Sequence, residues 1–271
     1  MPDRPEGVVI RRDRTSCPGR APDSVSGYDT GMKPALLFRV LAACATMCAA
    51  TLHAQTDKPA TPAFPATSTY LHKTIEGFPI MVDPRLAEET ELCAATLKEI
   101  SSQLYLVSRK VPAKALAKIR KVRIFVQLRS PTTCAVYHPS RRWLSKHKQN
   151  PDMARCVELS HPKAFLSWTK HQPWMLLHEL AHAYHHQFLA GGFGNPEVRE
   201  CFEAARESKS YESVLHIQGH QQRAYALTNH KEYFAEASEA FFGTNDMYPF
   251  VGSELRRHDP RMSKLLKKLW R

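Results

Sequence analysis

The stretch Pro173-Trp174-Met175-Leu176-Leu177-His178-Glu179-Leu180-Ala181-His182-Ala183-Tyr184-His185-His186 decides how the rest of this chain is read. Residues i and i+4 of an α-helix stand one above the other on one face, so His178 and His182 can reach a single ion. Glu179 lies beside the pair, placed to take a proton from water at that ion. Pro173 suits a helix start. Trp174, Leu177, Ala181, Tyr184 and Phe188 form one apolar stripe, which Leu176, Leu180 and Ala183 widen around the cylinder. A helix of that kind is buried, and two imidazoles inside it without partners are costly. A metal resolves the conflict, and zinc suits two imidazoles plus one further ligand with an open position. His185 and His186, near the helix end, fit solvent or the helix dipole better than a metal.

The third ligand has to come from elsewhere. Phe188 stands where a third histidine of the extended motif would be. The candidate segment is Asn229-His230-Lys231-Glu232-Tyr233-Phe234-Ala235-Glu236-Ala237-Ser238-Glu239-Ala240-Phe241-Phe242. On a helix Glu232, Glu236 and Glu239 share one stripe, where like charges destabilise by roughly 0.2–0.5 kcal/mol per pair. A nearby cation offsets that repulsion, and a water-facing stripe is the competing reading. Asn229 and Glu232 also match a capping box, which explains Glu232 without any metal and leaves Glu236 as the rival ligand.

Taken together, His178-Glu179-Leu180-Ala181-His182, Tyr225, and Glu232-Tyr233-Phe234-Ala235-Glu236 resemble the active-site layout of the anthrax lethal factor family of zinc peptidases, a gluzincin-like group. The resemblance implies that Glu232 is the third zinc ligand, that Glu236 supports the site from behind, and that Tyr225 assists catalysis at the metal. It is strong over 173–242. Tyr137-His138-Pro139 and the segment from Gly243 to Phe250 extend it towards a group of secreted metallopeptidase-like proteins. The toxin's larger architecture is absent, so its substrate does not carry over.

Outward from the motif, the chain predicts a little sheet followed by much helix, hence an α+β, zincin-like domain over 76–271. Short strands are expected at 78–82, 122–128 and 156–159, the last being the candidate edge strand for pairing with a peptide. Apolar spacing predicts helices over 86–109, from Pro112 to Ile119, and over 161–170, 173–190, 196–208, 229–242 and 260–270. Residues 129–155 read as a long basic loop, and 55–75, rich in Thr, Pro and Ala, as a flexible linker.

Residues 1–54 read as addressing. The first 31 have the composition of a disordered leader. Met32 offers a better start, with Lys33 and Arg39 before an apolar run from Val40 to Leu52 that is too short for a membrane span, and Ala54 at a cleavage point. Leu41-Ala42-Ala43-Cys44 gives a lipoprotein alternative. Both imply a secreted or periplasmic protein, and a monomer is expected. The apolar and charged fractions, 43% and 24%, exclude a fibre or a wholly disordered chain. The net charge of +12 is scattered rather than clustered. It fits a basic soluble surface or attraction to an anionic envelope, and no nucleic-acid motif accompanies it. Four of the seven cysteines, Cys93, Cys134, Cys156 and Cys201, lie beyond the leader. In an oxidising compartment they predict two disulfides, with Cys134–Cys156 the first choice. The expected activity is hydrolysis of peptide bonds by zinc-activated water. The alternatives are an envelope-binding protein on the same fold without turnover, and a zinc hydrolase of a non-peptide amide.

Overall fold

The computed structural model describes the backbone of Val9–Ile10 and residues 64–132 and 134–271. The export signal and lipobox expected within 32–54, and the linker before residue 64, lie outside the described residues. Val9–Ile10 (β1), inside the leader read as disordered, is a strand. Leu71–Ile75 (β2), inside the expected linker, is another, so the folded part begins before residue 76. Sequence pattern hides β2 because an edge strand facing water on both sides shows no apolar alternation.

β2 and Phe78–Val82 (β3) form a hairpin with Ile75 opposite Phe78. The two residues between, Glu76 and Gly77, both have positive φ, 51° and 80°, as a two-residue hairpin turn requires. Ile124–Val126 (β4), Ala135–Tyr137 (β5) and Val157–Leu159 (β6) complete a mixed sheet of order β1-β5-β6-β4-β3-β2. β3, β4 and β6 run parallel. β5 runs antiparallel to β6, and β1 pairs with its outer edge. β6 is therefore interior, and the expectation that 156–159 forms an edge strand is corrected. Beyond β6 lie β5 and then β1 at the edge; β5 lies in the stretch read as loop, 129–155, where three apolar residues inside a basic segment display no period. The same stretch holds helix Arg141–Lys146, whose N-cap Ser140 accepts from Trp143 N.

Alternation through the sheet separates two cores. Ile80, Val82, Ile124, Val126, Val157 and Leu159 face the large one. Met81 and Phe125 face a small one with Tyr70, Leu144, Met153 and Cys156. This division accounts for the cysteines. Cys134 Sγ sits 3.6 Å from Met175 Sδ in the large core. Cys156 Sγ lies in the small core, 3.4 Å from the Ala154 carbonyl. No disulfide joins the four described cysteines, and the expected Cys134–Cys156 bridge is corrected.

The helices in chain order are Pro84–Glu88 (α1), Thr90–Lys110 (α2), Ala113–Ile119 (α3), Arg141–Lys146 (α4), Pro162–Trp168 (α5), Met175–Phe188 (α6), Pro196–Ser208 (α7), His230–Phe242 (α8), Gly252–His258 (α9) and Pro260–Leu269 (α10). The proportions are those of an α+β fold. α6 is central: every residue from Met175 to His185 is buried, against α8, α2, α3 and β5. Its first turn is completed from α2, where Gln103 Oε1 accepts from Leu176 N at 3.0 Å; helix starts leave such N–H groups without intrahelical partners. Tyr184 fixes the far end by stacking on Trp270 at 4.1 Å and donating to the Leu269 carbonyl.

Candidate metal centre

α6 carries His178, Glu179 and His182, and α8 carries Glu232, Glu236 and Glu239; all six are at most 2% exposed. α8 starts where Asn229 caps it, its side chain accepting from Lys231 N and Glu232 N. That cap is half of the expected box. The Glu232 carboxylate meets imidazoles: Oε2 is 3.1 Å from His178 Nε2 and 3.3 Å from His182 Nε2. The two Nε2 atoms are 3.1 Å apart. Three atoms each about 2.0–2.1 Å from one tetrahedral zinc stand about 3.3–3.4 Å apart. The triangle of donors is close to that size, and its composition, two imidazoles and one carboxylate, is that of a catalytic zinc site. The residues present therefore fit the ion that the sequence implies.

Charge argues the same way. Four carboxylates and two imidazoles share a desolvated volume, and carboxylates taken out of water need compensation by opposite charge. Glu232 has His178 and His182 as its ion-pair partners. A divalent cation among these atoms offsets the burial. The Glu stripe does not face water, and Glu232 Oε2 lies against His178 and His182.

The second acidic group differs from expectation. His178 Nδ1 lies 2.6 Å from Glu239 Oε1 and 3.6 Å from Glu236 Oε1. Glu239, which neither the motif nor the resemblance singles out, is in hydrogen-bond contact with His178. Glu236 stands further back and lines a small internal cavity with Tyr211, Tyr233, Asn245 and Met247. The stripe itself was visible in the sequence; the crossing of α6 over α8, which selects its members, was not.

Tyr225 opens a single 3-10 turn, Tyr225–Thr228, packed on α8. It is half-buried and its amide donates to Met247 Sδ at 3.1 Å. His185 is not solvated, contrary to the sequence reading. It is fully buried between Phe193 and Phe234, and neither ring nitrogen has a hydrogen-bond partner among the described residues. Burial holds its pKa well below the usual histidine value, and the neighbouring His230 and His182 add to the shift. His186 Nδ1 is 2.8 Å from the Tyr137 hydroxyl, and its ring stacks on Phe193. His182 Nδ1 is buried with no hydrogen-bond partner among the described residues.

Comparisons with family models, with curated proteins and with solved structures give no match. The chemistry of these side chains alone carries the functional reading.

Proposed function

We propose that this chain is an exported zinc-dependent peptidase of zincin-like fold. The observation that carries the reading is the buried triangle of His178 Nε2, His182 Nε2 and Glu232 Oε2, with separations of 3.1–3.3 Å. His178, His182 and Glu232 hold the ion. Bound zinc would supply Lewis acidity and lower the pKa of water to about 7. Glu179, next to the first ligand on the same buried helix, takes the proton of the attacking water and passes it to the leaving amine. The Tyr225 hydroxyl donates to the oxyanion that forms at the carbonyl. The extended substrate pairs with the outer edge of β5, the strand packed on α6, in place of the Val9–Ile10 backbone that pairs there and that falls within the leader expected to be removed. The leader read at 1–54 and the net charge of +12 support a location in the periplasm or outside the cell, near anionic envelope polymers.

The test compares the purified chain with Glu179→Gln on a mixed peptide library, with metal content measured by native mass spectrometry. One zinc per chain is expected in both, with cleavage slowed by roughly 10²–10⁴ in the variant, the usual contribution of a general base. A wild type that takes up no metal after zinc addition, or a variant that cleaves as fast as wild type, would remove the reading.

A further inference from the structure

We infer that Glu239 is the positioning residue that fixes the metal-ligating tautomer of His178. The inference rests on the zinc reading above and adds to it a residue at i+7 from the ligand Glu232, where the resemblance points to Glu236 at i+4.

The two nitrogens of the His178 ring face two different carboxylates of α8. Seven residues of helix span about 10 Å at 1.5 Å per residue, and the His178 imidazole lies across that span. Its Nε2 faces Glu232 Oε2 at 3.1 Å, and its Nδ1 faces Glu239 Oε1 at 2.6 Å. Glu236 Oε1, at 3.6 Å, is beyond hydrogen-bond distance of Nδ1. A carboxylate accepts and an imidazole N–H donates, so the short contact places a proton on Nδ1. The neutral ring then has its lone pair on Nε2, aimed into the triangle shared with His182 and Glu232, where it can bind a metal.

The alternative tautomer shows why this matters. With the proton on Nε2, His178 donates to Glu232 Oε2 across the existing 3.1 Å, and two of the three donors satisfy each other. That arrangement competes with the ion. Glu239 disfavours it, since an unprotonated Nδ1 would set its lone pair against a carboxylate oxygen at 2.6 Å in a site with no exposure to water. His182 Nδ1 has no comparable acceptor among the described residues, so the tautomer control of the pair falls on His178.

The decisive experiment uses the full chain, stripped of metal, and reads the His178 tautomer from long-range ¹H–¹⁵N correlation spectra. Wild type should show the Nδ1–H form. Glu239→Gln, nearly the same shape but uncharged and able to donate its amide to Nδ1, should shift His178 towards the Nε2–H form. It should also weaken zinc binding by roughly 10–100-fold, the range for partners that orient a ligand, measured by chelator competition. Glu236→Gln should leave the tautomer unchanged and the affinity within a few-fold. Glu239→Asp, which keeps the charge but shortens the reach, should restore part of the affinity. An Nε2–H tautomer in wild type overturns the inference even where Glu239→Gln does not fold, as does a larger effect from Glu236→Gln. Failure of the two readings is separable. If wild type takes up no zinc but Glu239→Gln still switches the tautomer, the zinc reading falls and the positioning role stands. If wild type binds zinc and Glu239→Gln changes neither tautomer nor affinity, only the positioning role falls.

Discussion

The indole of Trp174 lies over the backbone of Gly243 so closely that a Cβ on that glycine would fall 1.9 Å from Trp174 Cε2. Trp174 is the N-cap of α6 and Gly243 the C-cap of α8. The Trp174 carbonyl also accepts from His178 N at 3.0 Å. One contact therefore locks together the ends of the two helices that supply the metal donors, and it requires a residue with no side chain.

Gly243→Ala should accordingly damage both stability and metal binding. Forcing a methyl group into an occupied space costs about 1–3 kcal/mol, and each kcal/mol lowers the melting temperature of a domain this size by about 2–4 °C. The indole has to move, and the start of α6 moves with it, so zinc affinity should fall as well. Trp174→Leu in the Gly243→Ala background should recover part of the loss, because the two sites are in contact and their effects are coupled. Thermal melts and chelator competition on the single and double variants check this. Strictly additive effects would show that the clash does not transmit.

Tyr225→Phe separates chemistry from packing. The ring stays, so melting temperature and zinc content should match wild type. Loss of one oxyanion donor should lower kcat by roughly 10²–10³ with KM little changed, because the lost interaction exists only in the transition state. Steady-state kinetics beside zinc content decide it. A near-normal kcat would make Tyr225 a packing residue of the 3-10 turn.

How far the sequence can be read depends on how much of each signal is local. α6 was legible in full, because a 14-residue helix buried all round writes its period and its histidine spacing into one contiguous segment. β3, β4 and β6, buried on both faces, were legible as apolar runs. β5 and α4 were not, being three and six residues long in a basic stretch. The Cys134–Cys156 expectation came from loop composition, which says nothing about sheet faces. Those thiols belong to different cores, one beside Met175 and the other among Met81, Phe125 and Met153. At the candidate metal centre the spacing along each helix brought out the His and Glu side chains that the structure gathers there. The choice of Glu239 over Glu236 as the partner of His178 depends on how α6 crosses α8, and an interhelical angle has no local signature.

His185 gives the fold an acid-sensitive element distinct from the metal donors. Its ring is 4.8 Å from Phe234 and 5.2 Å from Phe193, with His230 6.0 Å away. Both nitrogens are buried without hydrogen-bond partners among the described residues. Burial depresses its pKa well below the ordinary value, and the charges of His230, His182 and Lys231 act in the same direction. In the unfolded chain His185 takes up a proton near pH 6.5, whereas in the folded chain it stays neutral until the pH is much lower. Below about pH 6.5 the unfolded state therefore binds more protons, and stability falls as pH falls; above that pH the group contributes no slope. One such group costs at most about 1.4 kcal/mol per pH unit. His230, whose pKa is also lowered by burial, adds to the same trend. His185→Leu removes the titrating group and both unsatisfied nitrogens while keeping an apolar side chain of similar bulk. It should be at least as stable as wild type at pH 7.5, and it should lose less stability between pH 6.5 and 5.5, by up to that amount. Urea unfolding at pH 7.5, 6.5 and 5.5 measures both quantities. Parallel pH profiles for the two proteins would show that His185 takes up its proton equally in the folded and unfolded chains, and the acid sensitivity would then belong to His230 and the remaining histidines.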